Sequence, residues 1–259
     1  MNIRPKRSLG QNFLRDRSIA SRIVAALDAG PDDRVVEIGP GQGALTDELF
    51  ARSCVVYAIE FDRDLVEGLA ARFSEKSDFH LINADALEFD FRTLQSAGGG
   101  QLKLVANLPY NISTPILRRL VQVRNFFSVL VLMFQREVVD RITAHVGNRD
   151  RGYLTVLVEN AFNIERLFDV NPRAFYPVPK VWSSVVRLTP LPPDGTDDDS
   201  LERLLSVAFI HKRKTLLNNL VPAFTGASTA LAACGIDPKR RPETLTIAEW
   251  KQLSAALQS

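Results

Sequence analysis

Two hydrophobic rhythms alternate along the first two thirds of the chain. Short, largely apolar runs at 35–38, 55–59, 79–82, 102–106 and 127–134 have the length and β-branched content of strands buried on both faces. Between them apolar residues recur at helical spacing: Ile19, Ile23, Val24 and Leu27, then Leu45, Leu49 and Phe50, then Leu65, Leu69 and Phe73. Ser113-Thr114-Pro115 predicts a helix opening on a hydroxyl cap with proline in its first turn. Further helices are expected at 135–146 and 153–162, the latter with a stripe of Leu154, Leu157, Val158 and Ala161. Two last strands, 164–170 and 182–188, flank a proline-rich connection with no room for a crossover helix, so the closing pair should be antiparallel. The pattern predicts an α/β fold: a mostly parallel, Rossmann-like sheet with helices on both faces and a final antiparallel strand.

The rhythm changes at Leu191-Pro192-Pro193-Asp194-Gly195-Thr196-Asp197-Asp198-Asp199-Ser200, which holds turn formers and acid. Beyond it the spacing is helical only: Leu201, Leu204, Leu205, Ala208 and Phe209, then Leu216, Leu217, Leu220, Val221 and Phe224. The expected organisation is an N-terminal arm plus α/β domain over 1–190, an acidic linker over 191–200, and a small all-helical domain over 201–259.

Composition adds mainly exclusions. With 259 residues, 46% hydrophobic and 24% charged, the chain reads as an ordinary soluble protein. Cys54 and Cys234 are far apart, and His80, His145 and His211 are scattered. No disulfide framework or metal site is expected, and the compartment should be reducing, hence cytoplasmic, with a short organellar address left open. No run is long enough to span a bilayer, and the basic N-terminus lacks the apolar core of a secretory signal. Net charge is only +2, but its distribution is uneven. Arg4, Lys6, Arg7, Arg15, Arg17 and Arg22 crowd the first residues. Lys212-Arg213-Lys214 and Lys239-Arg240-Arg241 mark the helical end, and Arg118-Arg119 follows the fourth strand. Any one cluster reads as a solvated face; clusters at both ends point to a polyanion, with nucleic acid the natural class.

The candidate chemistry stands at strand ends. Glu37-Ile38-Gly39-Pro40-Gly41-Gln42-Gly43 is a strand–loop–helix junction where missing side chains let a ligand approach the backbone. Glu60 closes the next strand, where a carboxylate can accept both ribose hydroxyls. Asp85 follows the third strand, placed either to accept from an adenine amino group or to cap the turn before Ala86-Leu87. Asn107-Leu108-Pro109-Tyr110 ends the fourth: two acceptors, a rigid proline and a ring suit a flat heterocycle bearing an amino group, although Asn and Pro also make ordinary turns. The dinucleotide fingerprint fits poorly, because its third glycine comes one residue early and Ala44 takes the expected place. A glutamate two residues before G-x-G-x-G instead resembles motif I of S-adenosylmethionine-dependent methyltransferases.

Taken with Gly10-Gln11-Asn12-Phe13-Leu14, Asn107-Leu108-Pro109-Tyr110-Asn111-Ile112-Ser113 and Phe175-Tyr176-Pro177-Val178-Pro179-Lys180-Val181, the chain closely resembles the ribosomal RNA adenine N6,N6-dimethyltransferases over nearly its whole length. The resemblance implies S-adenosylmethionine as methyl donor and two adjacent adenosines near the 3′ end of small-subunit RNA, in an immature subunit, as substrate; a monomer without metal or membrane is expected. It implies that Asn12 and Leu14 close over the cofactor, and that Gly39, Gly41, Glu60, Asp85 and Asn107 contact it. Asn107 and Leu108 would accept from the adenine amino group, with Pro109 fixing the Leu108 carbonyl. Tyr110 and Phe175 would stack on the two faces of the base. Arg4, Lys6, Arg7, Arg118, Arg119, Lys212, Arg213, Lys214, Lys239, Arg240 and Arg241 would bind phosphate. One departure is Leu217, where a basic residue is expected after Thr215-Leu216. Competing readings are a large-subunit methyltransferase of the antibiotic-resistance type and an RNA-binding assembly or transcription factor that needs no catalysis.

Overall fold

A computed structural model of the chain describes residues 5–6, 9–95 and 100–258. A two-residue strand β1 (Phe13–Leu14) leads into helix α1 (Arg17–Leu27), whose N-terminus is capped by the Asp16 carboxylate. The parallel strands follow as β2 (Arg34–Ile38), β3 (Val55–Glu60), β4 (Phe79–Asn83), β5 (Leu102–Asn107) and β6 (Phe127–Gln135). The segments between them carry α2 (Ala44–Phe50), α3 (Arg63–Arg72), α4 (Arg92–Gln95) and α5 (Ser113–Gln122) in turn. After β6 come α6 (Arg136–Ile142), α7 (Tyr153–Ala161), β7 (Phe162–Val170), β8 (Phe175–Tyr176) and β9 (Ser183–Pro190). The remaining helices are α8 (Asp198–Ala208), α9 (Leu216–Leu220), α10 (Ala227–Ala233) and α11 (Ile247–Ala256).

Seven strands form one sheet in the order β4-β3-β2-β5-β6-β9-β7, with β9 antiparallel to β6 and the β4–β3, β3–β2, β2–β5 and β5–β6 pairs parallel. The expected mostly parallel sheet with a final antiparallel strand is therefore present. Its central strands are apolar and buried on both faces, as Val35, Val36, Leu104, Val105, Leu130 and Val131 show. From β2 the chain steps outward through β3 to β4, then returns across β2 to β5. That reversal opens a crevice beyond the carboxyl ends of β2 and β5, the position where sheets of this kind bind ligands.

Three local expectations change. Ser113 is the first residue of α5 and not its cap; its hydroxyl donates to the Tyr110 carbonyl at 3.2 Å, closing the turn before the helix. β1 and β8 pair antiparallel, Phe13 opposite Tyr176 and Leu14 opposite Phe175, a link between distant residues that no periodicity signals. The acidic stretch is partly helical: Asp197 caps α8 by accepting from the Asp199 and Ser200 N–H groups, and Asp198 and Asp199 lie in its first turn, where acid suits the helix dipole. By packing, residues 1–139 with 163–190 form one compact unit and residues 140–162 with 191–259 a second. The stripe of α7 is thus used within the helical unit, where Tyr153 donates to Glu202 at 2.7 Å and Asn160 to Asp198 at 2.9 Å.

Candidate active site

The sheet order turns four separate strand ends into neighbours. Asp85 lies just past β4, Glu60 ends β3, Gly39 follows β2 and Asn107 ends β5, so the four lie along one edge in that order. They line a cavity of about 300 Å³ together with Asn12, Leu14, Gly41, Leu108, Pro109 and Tyr110. Such a volume fits the lower range of small-molecule sites.

Each group is held by a specific contact. Gly39 and Gly41 have φ of +67° and +58°, a region that side-chain-bearing residues rarely adopt. A Cβ at Gly41 would also stand 3.1 Å from the Phe13 ring. Glu60 takes the Asp62 N–H on one oxygen at 2.9 Å and the Gly41 N–H on the other at 3.2 Å. Burial raises the Glu60 carboxyl above its ordinary range, against those bonds. Glu37, fully enclosed, accepts from the Thr46 hydroxyl at 2.6 Å. Burial first, opposed by that bond and aided by the charges of Glu60 and Asp47, pushes its carboxyl up to about 8. Asp85 caps its turn by accepting from the Leu87 N–H at 2.9 Å while lining the cavity, so both readings of this residue coexist.

The Asn107 amide nitrogen donates to the Asn12 carbonyl at 3.4 Å. A carbonyl can only accept, so the amide must present its oxygen the other way. Among the described residues nothing donates to that oxygen or to the Leu108 carbonyl. Pro109, at φ −58° and ψ 140°, fixes the chain after Leu108. The Tyr110 hydroxyl and the Ser183 hydroxyl are 3.0 Å apart. Burial raises the Tyr110 phenol, opposed by Ser183, so it remains neutral at physiological pH and is no base.

The lining also has a charge signature. Among the described residues it includes Glu37, Glu60 and Asp85 and no lysine, arginine or histidine. Glu37, pushed up to about 8, is mainly protonated near neutral pH, which leaves Glu60 and Asp85 as the carboxylates facing the cavity. Acceptors at these two strand ends suit the hydroxyls and the amino group of a nucleoside.

A model of the family described as ribosomal RNA adenine dimethylase matches residues 2–259. The chain belongs to the ribosomal RNA adenine dimethylase family. It is 45% identical over its whole length to the ribosomal RNA small subunit methyltransferase A of Syntrophotalea carbinolica, covering 98% of that protein. It is 48% identical to the protein of the same name from Laribacter hongkongensis, with 96% of this chain and 95% of that one aligned. Among solved structures it resembles a dimethyladenosine transferase from Plasmodium falciparum at a TM-score of 0.77 and 26% identity, covering 93% of this chain and 95% of that one. The 23S rRNA methyltransferase ErmE matches at a TM-score of 0.69 and 26% identity, covering 96% and 100%.

The structure places several of the expected site residues away from the cavity or in internal contacts. Phe175 does not line the cavity: it is 3% exposed and packed in the core beside Leu14, because strand alternation in β8 points it inward and leaves Tyr176 outside. Lys6 is bound to Asp62 at 2.5 Å and Asp64 at 2.8 Å, with its side chain 40% exposed. Arg119 donates to the Phe89 carbonyl at 2.9 Å from a half-buried position. Arg240 grips Glu249 at 2.5 and 3.1 Å together with Thr244. Arg4 and Arg7 lie outside the described residues. Arg118, Lys212, Arg213, Lys214, Lys239 and Arg241 are exposed. Within the helical unit the two basic clusters meet, since the Leu216 N–H donates to the Arg240 carbonyl at 2.7 Å and the Leu217 N–H to the Pro238 carbonyl at 3.3 Å.

Sequence reasoning passed over Glu37 as a titrating group, and Gln11, Phe61 and Asn111 as lining residues. Gln11 and Asn111 stand inside the motifs at 10–14 and 107–113, and Phe61 is an apolar residue directly after the strand-ending Glu60; it is 59% exposed. Among the described residues no cluster of His, Cys, Asp and Glu could hold a metal, and no helix is long and apolar enough to cross a membrane.

Proposed function

We propose that the protein transfers methyl groups from S-adenosylmethionine to N6 of two adjacent adenosines near the 3′ end of small-subunit ribosomal RNA, giving N6,N6-dimethyladenosine. The observation that carries this reading is the pair of acceptors that take no donor among the described residues, the Asn107 side-chain oxygen and the Leu108 carbonyl, beside a cavity lined by Glu60 and Asp85. Small-subunit RNA is favoured over large-subunit RNA by the 45% and 48% identities to proteins named for the small subunit, against 26% to the 23S enzyme.

The N6 amine is a poor nucleophile because its lone pair is delocalised into the ring. Acceptors on its two hydrogens draw the nitrogen toward a tetrahedral form and free that lone pair. The cofactor supplies a methyl group on a sulfonium, already a good electrophile. Glu60 holds the ribose, the Gly39–Gly41 turn lets the amino-acid end approach the backbone, and Asp85 accepts from the adenine. Alignment then contributes more than a strong base. Tyr110 stacks on the target base, an interaction worth ~1–3 kcal/mol, which helps hold an adenosine extruded from its helix. Lys212, Arg213, Lys214, Lys239 and Arg241 contact phosphate and orient structured RNA by shape.

The direct test is Asn107→Ala. Methyl transfer should fall at least ~100-fold, the scale of losing one preorganised polar group, while RNA binding in a filter assay stays within twofold of wild type by the same reasoning. Transfer at the normal rate would refute the assignment.

A further inference from the structure

Residues 9–14 line the cavity and are attached to the rest of their unit in three ways. Phe13 and Leu14 pair with β8 and are 5% exposed each. The Asn12 carbonyl takes the Asn107 amide. The third attachment is the Asp62 carboxylate, which accepts from Gln11 Nε2 at 2.8 Å on one oxygen and from Lys6 Nζ at 2.5 Å on the other. The Lys6 backbone N–H donates to Gln11 Oε1 at 2.8 Å, turning the amide nitrogen of Gln11 toward Asp62.

Asp62 has more partners than its local role requires. It caps α3 by accepting from the Asp64 N–H at 3.1 Å, for which one oxygen suffices. Its side chain is 1% exposed. Burial alone would raise it, yet the bonds from Lys6, Gln11 and Asp64 outweigh that and hold it below the ordinary carboxylate range. The Lys6 side chain is 40% exposed, so water competes for its ammonium. In the β1–β8 pair the side chains of Phe13, Leu14 and Phe175 are buried, so separating it exposes apolar surface. Compared with that pairing, the attachment at Asp62 opens at the lower cost.

The chemistry requires such an opening. Two methyl transfers to one nitrogen consume two cofactor molecules, so the spent one must leave and a fresh one enter between them. We infer that Asp62, with Gln11 and Lys6, is a releasable clasp on residues 9–14 that sets the rate of cofactor exchange between successive methyl transfers. Asp62 is in this sense a positioning residue, acting through the arm. The inference rests on the function proposed above.

The test is stopped-flow dissociation of S-adenosylhomocysteine from wild type, Lys6→Met, Asp62→Asn and the double variant. Removing the charged partner, an interaction of ordinary charge-assisted strength, should speed dissociation about tenfold in each single variant. The double variant should be no faster than the faster single, and Lys6→Arg should restore slow release. Unchanged dissociation in both singles, or strictly additive effects, overturns the clasp while leaving the methyltransferase reading intact. A lowered melting temperature with unchanged dissociation also overturns it, leaving Asp62 as a helix cap only. Failure of the wild-type protein to bind S-adenosylhomocysteine sinks the functional reading and the clasp with it.

Discussion

At the scale of single residues, the site is built from groups whose protonation is fixed by their surroundings. Tyr110 stays a neutral phenol, so its ring should matter more than its hydroxyl. Tyr110→Phe should keep methyl transfer within a few-fold of wild type. Tyr110→Ala should lose about 5- to 150-fold, the equivalent of ~1–3 kcal/mol of stacking. Single-turnover transfer to RNA checks both. Glu37 behaves differently: its carboxyl stands near 8 in the fold, above the ordinary value of 4.5. A raised carboxyl means that the folded state binds the proton more tightly than the unfolded one. Stability should therefore decline as pH rises from the ordinary carboxylate range to about 8, and level off beyond. Melting temperature against pH should show this decline in wild type and a flatter curve in Glu37→Gln; identical curves would contradict the assigned environment.

At the scale of elements, the strand ends were legible and the attachments of the arm were not. A buried strand that stops at a polar residue is visible as an apolar run followed by Gly39, Glu60, Asp85 or Asn107, and chain order alone places each at a carboxyl end. Their alignment along one edge depends on β5 returning beside β2, which the alternation of elements does not reveal. The β1–β8 pair has two residues per strand, too few for any period. Lys6 and Gln11 reach Asp62 across more than fifty residues, and nothing local marks that approach. Phe175 carried its motif faithfully, yet strand alternation turned it into the core. The glycine turn offers a graded prediction. Gly41→Ala combines a left-handed backbone with a Cβ 3.1 Å from Phe13, whereas Gly39→Ala meets only the backbone term, with nothing within 4 Å. Calorimetric affinity for S-adenosylhomocysteine should fall in both, and further for Gly41→Ala.

At the scale of the whole molecule, basic residues that look alike in the sequence divide into two kinds. Arg240 is tied to Glu249 and Thr244, whereas Arg241, one residue on, is exposed. The Arg240 guanidinium first, and the Thr246 contacts with it, lower the Glu249 carboxyl to about 2 against its burial. Arg240→Ala should lower the melting temperature with modest effect on RNA binding. Replacing Lys212, Arg213 and Lys214 should leave melting unchanged and reduce the salt dependence of RNA binding by roughly one unit of slope per lost phosphate contact. Cofactor choice is checked the same way: S-adenosylhomocysteine should protect the protein against thermal unfolding and a nicotinamide dinucleotide should not, because Ala44 stands where the dinucleotide fingerprint needs its third glycine. The most direct test of the central claim is transfer of labelled methyl from S-adenosylmethionine to purified, unmethylated small and large ribosomal subunits, with the modified nucleotides mapped. N6,N6-dimethyladenosine at two adjacent positions near the 3′ end of the small-subunit RNA is the predicted result. Label confined to large-subunit RNA, or no transfer to either, would contradict it.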